Sequence, residues 1–293
     1  YYARALNAQL HPLVRYFFSL DNARIVERYT HLHPETSVDA VYDALRYVPR
    51  WYRWGGTDLL HVAAMRPGAE RGRRKLVVIE TNSCPSGQKS MPWRDEHAEQ
   101  AGYRELVERA WRPMLREARR RLPAGGLAVL FDKNPMEASA YAAVIADVMD
   151  EPVALVPFYA DDPDPCARFV SAGAPHDAVL EVRGDDGAWQ PMRAAFRYVT
   201  QRPWSRIPPV SRTLVLIPVL VCLAGGRNKM LAAKAYDFHN GRLRGSGLQI
   251  AAPETIWDVD VGQVPAWVER LGGLAVVKVP YSNAGQGVFT ITN

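Results

Sequence analysis

The sequence predicts an α+β fold. Three observations carry the prediction: helical spacing of apolar residues through the first fifty positions, two strand-like runs between residues 57 and 81, and a strand–helix–strand alternation beginning near residue 127. With 293 residues and 48% hydrophobic positions, the chain can bury a full-sized core. Its length points to one large domain or two intertwined ones.

The first element is a helical N-terminal layer, read from Leu6, Leu10 and Val14 and again from Val38, Val41 and Leu45, with Pro34 breaking the run between them. Thr57 to Ala63 and Leu76 to Thr81 follow as a hairpin, joined by a long solvated connection containing Arg66-Pro67-Gly68 and the charged run Arg71 to Lys75. A helix is predicted from Asp95 to Leu122, with Tyr103, Leu106, Ala110, Trp111 and Leu115 along one side. Pro113 should kink or split it, because proline removes a helical N–H and clashes with the preceding turn. The Arg119 to Arg121 cluster reads as a solvated helix end, where positive charge is favoured by the helix dipole, ahead of the alternative that it docks an acidic partner.

After Pro123-Ala-Gly-Gly the period changes. Leu127 to Phe131 and Val153 to Phe158 are strands flanking a helix over Ser139 to Met149, a small Rossmann-like unit. The acidic, proline-stiffened Asp161 to Pro165 loop reads as an exposed connection. Ala178 to Val182 and Met192 to Thr200 are further strands, and the proline-rich stretch from Arg202 to Pro209 marks a boundary. Gly225-Gly226-Arg227-Asn228-Lys229 opens a helix, and Leu274 to Val279 is a strand leading into a glycine-containing loop. The organisation that results is 1–122, a helical layer plus the first part of a sheet; 123–208, the Rossmann-like unit; and 209–293, a second sheet part.

Composition narrows the function classes. The longest apolar stretch, Leu214 to Leu223, contains Pro218 and falls short of the roughly 20 residues that cross a bilayer, so no membrane role is expected. The formal charge of +5 is spread along the chain among 31 acidic residues, which argues against a nucleic-acid partner. Cys84, Cys166 and Cys222 are odd in number and have no metal-type spacing; neither a disulfide framework nor a zinc site is indicated, and a cytoplasmic protein is expected. Only six lysines stand against thirty arginines, so the placement of each lysine is informative.

Two constellations carry chemistry. In Leu76-Val-Val-Ile-Glu80-Thr-Asn82-Ser-Cys-Pro85, an apolar strand ends in a carboxylate and an amide two positions apart, which alternation puts on one face. Carboxylate and amide oxygens are hard ligands suited to Mg2+, and Asp58 on the preceding strand completes the set. A lone Glu-x-Asn at a strand end is more often a satisfied turn; the second constellation is what raises it. In Ala275-Val-Val-Lys278-Val-Pro-Tyr-Ser282-Asn283-Ala-Gly285-Gln286-Gly287-Val288, a lysine near the end of an apolar strand precedes a loop whose glycines let backbone N–H groups close on phosphates. No Gly-Lys-Ser/Thr follows the glycines, so it is not a Walker A loop, and the loop runs into Val288-Phe-Thr-Ile rather than a helix, so it is not a dinucleotide fingerprint.

Strand with lysine, glycine loop, then strand is an arrangement that resembles the ATP-grasp enzymes. The order of the motifs is similar to their circularly permuted branch, which includes glutathionylspermidine synthetase and eukaryotic glutathione synthetase, because the Glu-x-Asn strand precedes the lysines. Asn228-Lys229 and the strand Ala195-Phe-Arg-Tyr-Val199 extend the resemblance, which covers about residues 50 to 293 through short motifs. The resemblance implies an ATP-grasp architecture with an inserted Rossmann-like substrate domain. It implies Asp58, Glu80 and Asn82 as Mg2+ ligands, and Lys229 and Lys278 as phosphate-binding lysines. It also implies Ser282, Asn283, Gly285, Gln286 and Gly287 as a lid over the ATP phosphates, with Arg197 holding a substrate carboxylate or facing solvent. The implied reaction joins a carboxylate to an amine through an acylphosphate, on an amino acid or peptide, with a carrier protein as a further acceptor class.

Two features depart from that family. The arginine of its Arg-x-Asp strand is replaced here in Gly56-Thr57-Asp58, with Arg53 among Trp51, Tyr52 and Trp54 either a neighbouring substitute or, as is commoner, stacked packing; the family's adenine-holding hinge strand would lie beyond Asn293, or the adenine site is built otherwise. Two other readings compete. One makes Cys84 a nucleophile with His61 or His97 as base; the other is a nucleotide-binding protein of the same fold without catalysis.

Overall fold

The computed structural model describes residues 11–64, 73–83, 100–171, 173–200, 202–281 and 287–292. In chain order its elements are α1 (Pro12–Phe18), α2 (Asn22–Leu32), α3 (Val38–Arg46), β1 (Gly56–Ala64), β2 (Arg73–Asn82), α4 (Ala101–Leu106), α5 (Arg112–Ala118), β3 (Gly126–Phe131), α6 (Pro135–Met149), β4 (Val153–Pro157), β5 (Ala167–Val170), β6 (Val179–Arg183), β7 (Trp189–Tyr198), β8 (Leu214–Leu216), α7 (Val219–Val221), α8 (Lys229–Arg242), α9 (Val264–Arg270), β9 (Leu274–Lys278) and β10 (Val288–Thr292). The chain is a mixed α/β protein with several sheets. It divides into two compact units, each assembled from separated stretches: 1–20, 49–54 and 84–220 in the first, and 21–48, 55–83 and 221–293 in the second. No helix among the described residues is long and apolar enough to cross a membrane.

The first unit is built on a sheet of order β4-β3-β7-β6-β5, with β8 also paired to β7. β3 is parallel to both β4 and β7, and Leu127 to Leu130 are essentially inaccessible, as expected of an apolar strand covered on both faces. α6 makes the crossover from β3 to β4. It begins at Asn134, whose side chain accepts from Glu137 N, and Pro135 occupies the first turn, where its missing N–H costs nothing. Tyr141 on α6 joins Tyr103, Phe196 and Tyr198 in an aromatic cluster, with ring centroids 4.3–5.3 Å from its own.

One edge of β7 is shared. Its first half pairs antiparallel with β6 and its second half parallel with β8. At the changeover the buried Thr213 hydroxyl accepts from Leu180 N at 2.8 Å and donates to Met192 O at 2.7 Å, satisfying backbone groups that the switch of partner would strand. Residues 101–118 are helical throughout. Pro113 does not split the helix; a π-helical turn over Val107–Trp111 lies just before it, and Pro113 falls in the first turn of α5. The start of the predicted helix, 95–99, lies outside the described residues.

In the second unit, α2 packs on α3, burying Val26 and Val41. β1 and β2 form an antiparallel hairpin, and β9 and β10 form another. The outer edge of β2 is met by Val78 N donating to Ala251 O at 2.8 Å, and α8 lies against β2 with the Tyr236 and Thr81 hydroxyls in contact. Gly226 sits tightly behind the end of β2, where a Cβ would come 2.8 Å from Ser83 Cβ and 2.9 Å from Val221 O.

Candidate functional site

β2 is not a regular strand. Asp58 pairs with Glu80 but Leu59 pairs with Val78, so Ile79 has no partner on β1 and forms a β-bulge. In an uninterrupted strand Glu80 would share a face with Val78. With the bulge, register puts Glu80 and Asn82 on the face of the buried Val77, opposite Asp58 and Gly56 respectively. The three residues read as Mg2+ ligands therefore lie on one face at one end of the hairpin, and Asn82 Nδ2 donates to Asp58 Oδ1 at 3.3 Å.

The bulge also anchors a lysine: Lys278 Nζ donates to Ile79 O at 3.4 Å. Lys278 is the last residue of β9, paired with Val288, and the loop beyond it is closed by Val279 N donating to Gly287 O at 2.7 Å. Gly287 takes φ +65°, a left-handed conformation that glycine adopts without steric cost. Ser282, Asn283, Gly285 and Gln286, the remainder of the expected lid, lie outside the described residues.

Lys229 is the first residue of α8. Asn228, 2% exposed, caps that helix by accepting from Leu231 N at 3.1 Å, and Lys229 N donates to Pro280 O at 3.0 Å, fastening the helix start to the base of the β9–β10 loop. Burial holds the Lys229 ammonium below the ordinary lysine range; Glu80 opposes that shift, while the nearby positive charges of Lys278 and Arg227 add to it. Glu80 and Lys278, on two separate strands, thus both lie within electrostatic reach of Lys229 inside one unit.

Arg227 is the member that motif reading missed. Its signal was present: Arg227 and Lys229 flank the N-terminus of a 14-residue helix, the end at which the helix dipole disfavours cations. Positive charge held against that field is an arrangement that an anion stabilises.

Arg197 belongs to the other unit and is fully buried, which excludes the solvent-facing alternative. Its Nε donates to Ile217 O at 2.6 Å and its Nη1 to Val199 O at 3.0 Å, so these donors hold the chain's own backbone. Ile217 has φ +57°, a costly conformation for a β-branched residue, and the Arg197 bond fixes the carbonyl of that strained position. Arg53 pairs with Glu117 at 2.7 Å within the same unit. Cys84 and His97 lie outside the described residues, and His61 is exposed on β1.

Hard oxygen donors on one hairpin face fit Mg2+. Asp58 and Glu80 are like charges directly opposed across an antiparallel pair, which a divalent cation between them would relieve. Among the described residues no group of three or more His, Cys, Asp or Glu converges, so the set depends on the Asn82 amide as third donor. No family model matches the chain, and no curated protein matches it.

Proposed function

We propose that the chain is an ATP- and Mg2+-dependent carboxylate–amine ligase of the circularly permuted ATP-grasp type, acting on an amino acid or peptide and releasing ADP and phosphate. The observation that carries the reading is the gathering of Glu80, Lys229, Lys278 and Arg227 within one unit, at the end of the hairpin that also bears Asp58 and Asn82. Acidic oxygen donors beside three cations suit a metal–polyphosphate ligand, in which the donors meet the metal and the cations meet the phosphates.

Asp58, Glu80 and Asn82 would hold Mg2+, which when bound neutralises phosphate charge that would repel an incoming carboxylate. Lys229 and Lys278 would supply positive charge to the phosphates, and Lys278 Nζ is held by the Ile79 carbonyl. The substrate carboxylate oxygen bonds to the terminal phosphorus as the bridging P–O bond to ADP breaks; the amine nitrogen then attacks the acyl carbon, phosphate departs, and the amine gives up a proton. A loop pinned at its base by Val279–Gly287 and by Lys229–Pro280 suits a cover that excludes water from the activated acyl group.

The test is Mg2+-dependent ADP release from ATP by the full chain with pooled amino acids and polyamines, alongside Glu80→Ala and Lys278→Ala. Release that requires substrate and is lost in both variants supports the reading. ATP binding with no ADP across the whole panel favours a non-catalytic nucleotide-binding protein, and no ATP binding sinks the assignment.

A further inference from the structure

The first unit carries a second candidate ligand site, unrelated to the residues above. A recess of about 580 Å³ is lined by Arg112, Leu115, Arg116, Arg119, Leu122, Pro123, Ala124, Met149 and Arg193. Arg112, Arg116 and Arg119 fall at i, i+4 and i+7, one face of the helix running through α5, so three like charges line up where such spacing is unfavourable by itself.

The neighbouring carboxylates do not relieve that repulsion. Glu105 pairs with Arg109, Glu108 and Asp147 with Arg104, and Glu117 with Arg53. Among the described residues no carboxylate lies within ion-pair distance of Arg112, Arg116 or Arg119. Arg193 differs: it is held by Glu151 through Nη2 and by Gly125 O through Nη1 at 2.7 Å, which fixes its guanidinium at the recess wall. Four arginines against one carboxylate leave the recess strongly positive.

The remaining walls, Leu115, Leu122, Pro123 and Met149, are apolar, and the volume lies in the range of small-molecule sites. A bare inorganic ion would leave those walls without contacts, and a monocarboxylate would leave most of the charge unmatched. Guanidinium groups meet phosphate oxygens in a bidentate fashion. We propose that this recess binds an organic phosphate, its dianionic head among Arg112, Arg116 and Arg119 and its apolar portion against Leu115, Leu122 and Met149.

The test titrates the full chain with phenyl phosphate, inorganic phosphate and phenol by calorimetry at low and high salt. Arg116→Gln/Arg119→Gln is compared with Arg120→Gln/Arg121→Gln, whose side chains do not line the recess, and circular dichroism melting checks that both variants fold. The expected result is that phenyl phosphate binds more tightly than inorganic phosphate, that phenol does not bind, and that added salt weakens the phenyl phosphate complex. The recess variant should lose at least tenfold in affinity and the control variant less than twofold. Absence of phenyl phosphate binding, or equal losses in the two variants, would overturn the proposal. The same titration on Lys278→Ala should be unchanged; a loss there would locate binding at the other unit and would equally overturn it.

Discussion

The opposed pair Asp58 and Glu80 makes a prediction whose sign reverses with metal. The two carboxylates face each other across the β1–β2 ladder at an end where β1 is exposed. Directly opposed like charges cost roughly 0.2–1 kcal/mol. In chelator, Asp58→Asn should therefore be more stable than the parent by that amount, because it removes the repulsion and keeps a side chain able to accept from Asn82. With Mg2+ at ten times its dissociation constant, the parent gains RT ln 11, about 1.4 kcal/mol, and the variant, short of one ligand, gains less. The order of stability should then invert. At about 2–8 °C per kcal/mol, both differences fall within reach of thermal unfolding. The assay is a melt of the full chain in the presence of ADP, at pH 7 and low ionic strength, since screening would hide a pair this exposed. If the variant is no more stable in chelator, or if Mg2+ stabilises both proteins equally, the two carboxylates do not share a cation.

Three further outcomes follow from the same geometry. Lys229 carries a depressed pKa, so the folded protein releases its proton before the unfolded chain does. Stability should rise with pH between the folded value and the ordinary lysine value of about 10.4, and Lys229→Met should be the more stable protein at pH 7, with an advantage that shrinks toward pH 10 in urea titrations. Asn228→Ala removes a buried helix cap and leaves Leu231 N–H without its partner, which should cost about 1–3 kcal/mol in urea unfolding and weaken ATP binding by displacing Lys229. Arg197→Met should destabilise by about 3 kcal/mol or more, since two backbone carbonyls in a buried setting lose their donor; a neutral result would mean that Arg197 serves something other than the backbone it touches.

Much of the fold was legible because local period and punctuation agreed. Apolar runs bounded by Gly and Pro marked β3 and β4, the spacing between them marked α6, and Asn228 announced the start of α8. Of the two outcomes expected at Pro113, a kink or a split, the split does not occur: a π turn precedes the proline and the helix continues. β5 and the short β8 gave no separate signal, since three or four residues carry too little pattern to exceed a loop. The candidate site residues are legible only by type, a carboxylate and an amide at a strand end and scarce lysines beside glycines. Arg227 went unnoticed because one arginine among thirty is not conspicuous.

By itself the sequence determined the classes of element and the chemical kinds of side chain available, because both depend on neighbours within a few residues. Tertiary structure alone decided which distant stretches join. It set 21–48 and 55–83 with 221–293, and it brought α1 together with 84–220. It also decided that Ile79 bulges, so that Glu80 turns to the face of Val77 while the Ile79 carbonyl meets Lys278. A strand's period states which residues share a face only while its ladder is regular. Where an extra residue enters, the partner strand and the packing behind it choose the face, and no local pattern records that choice.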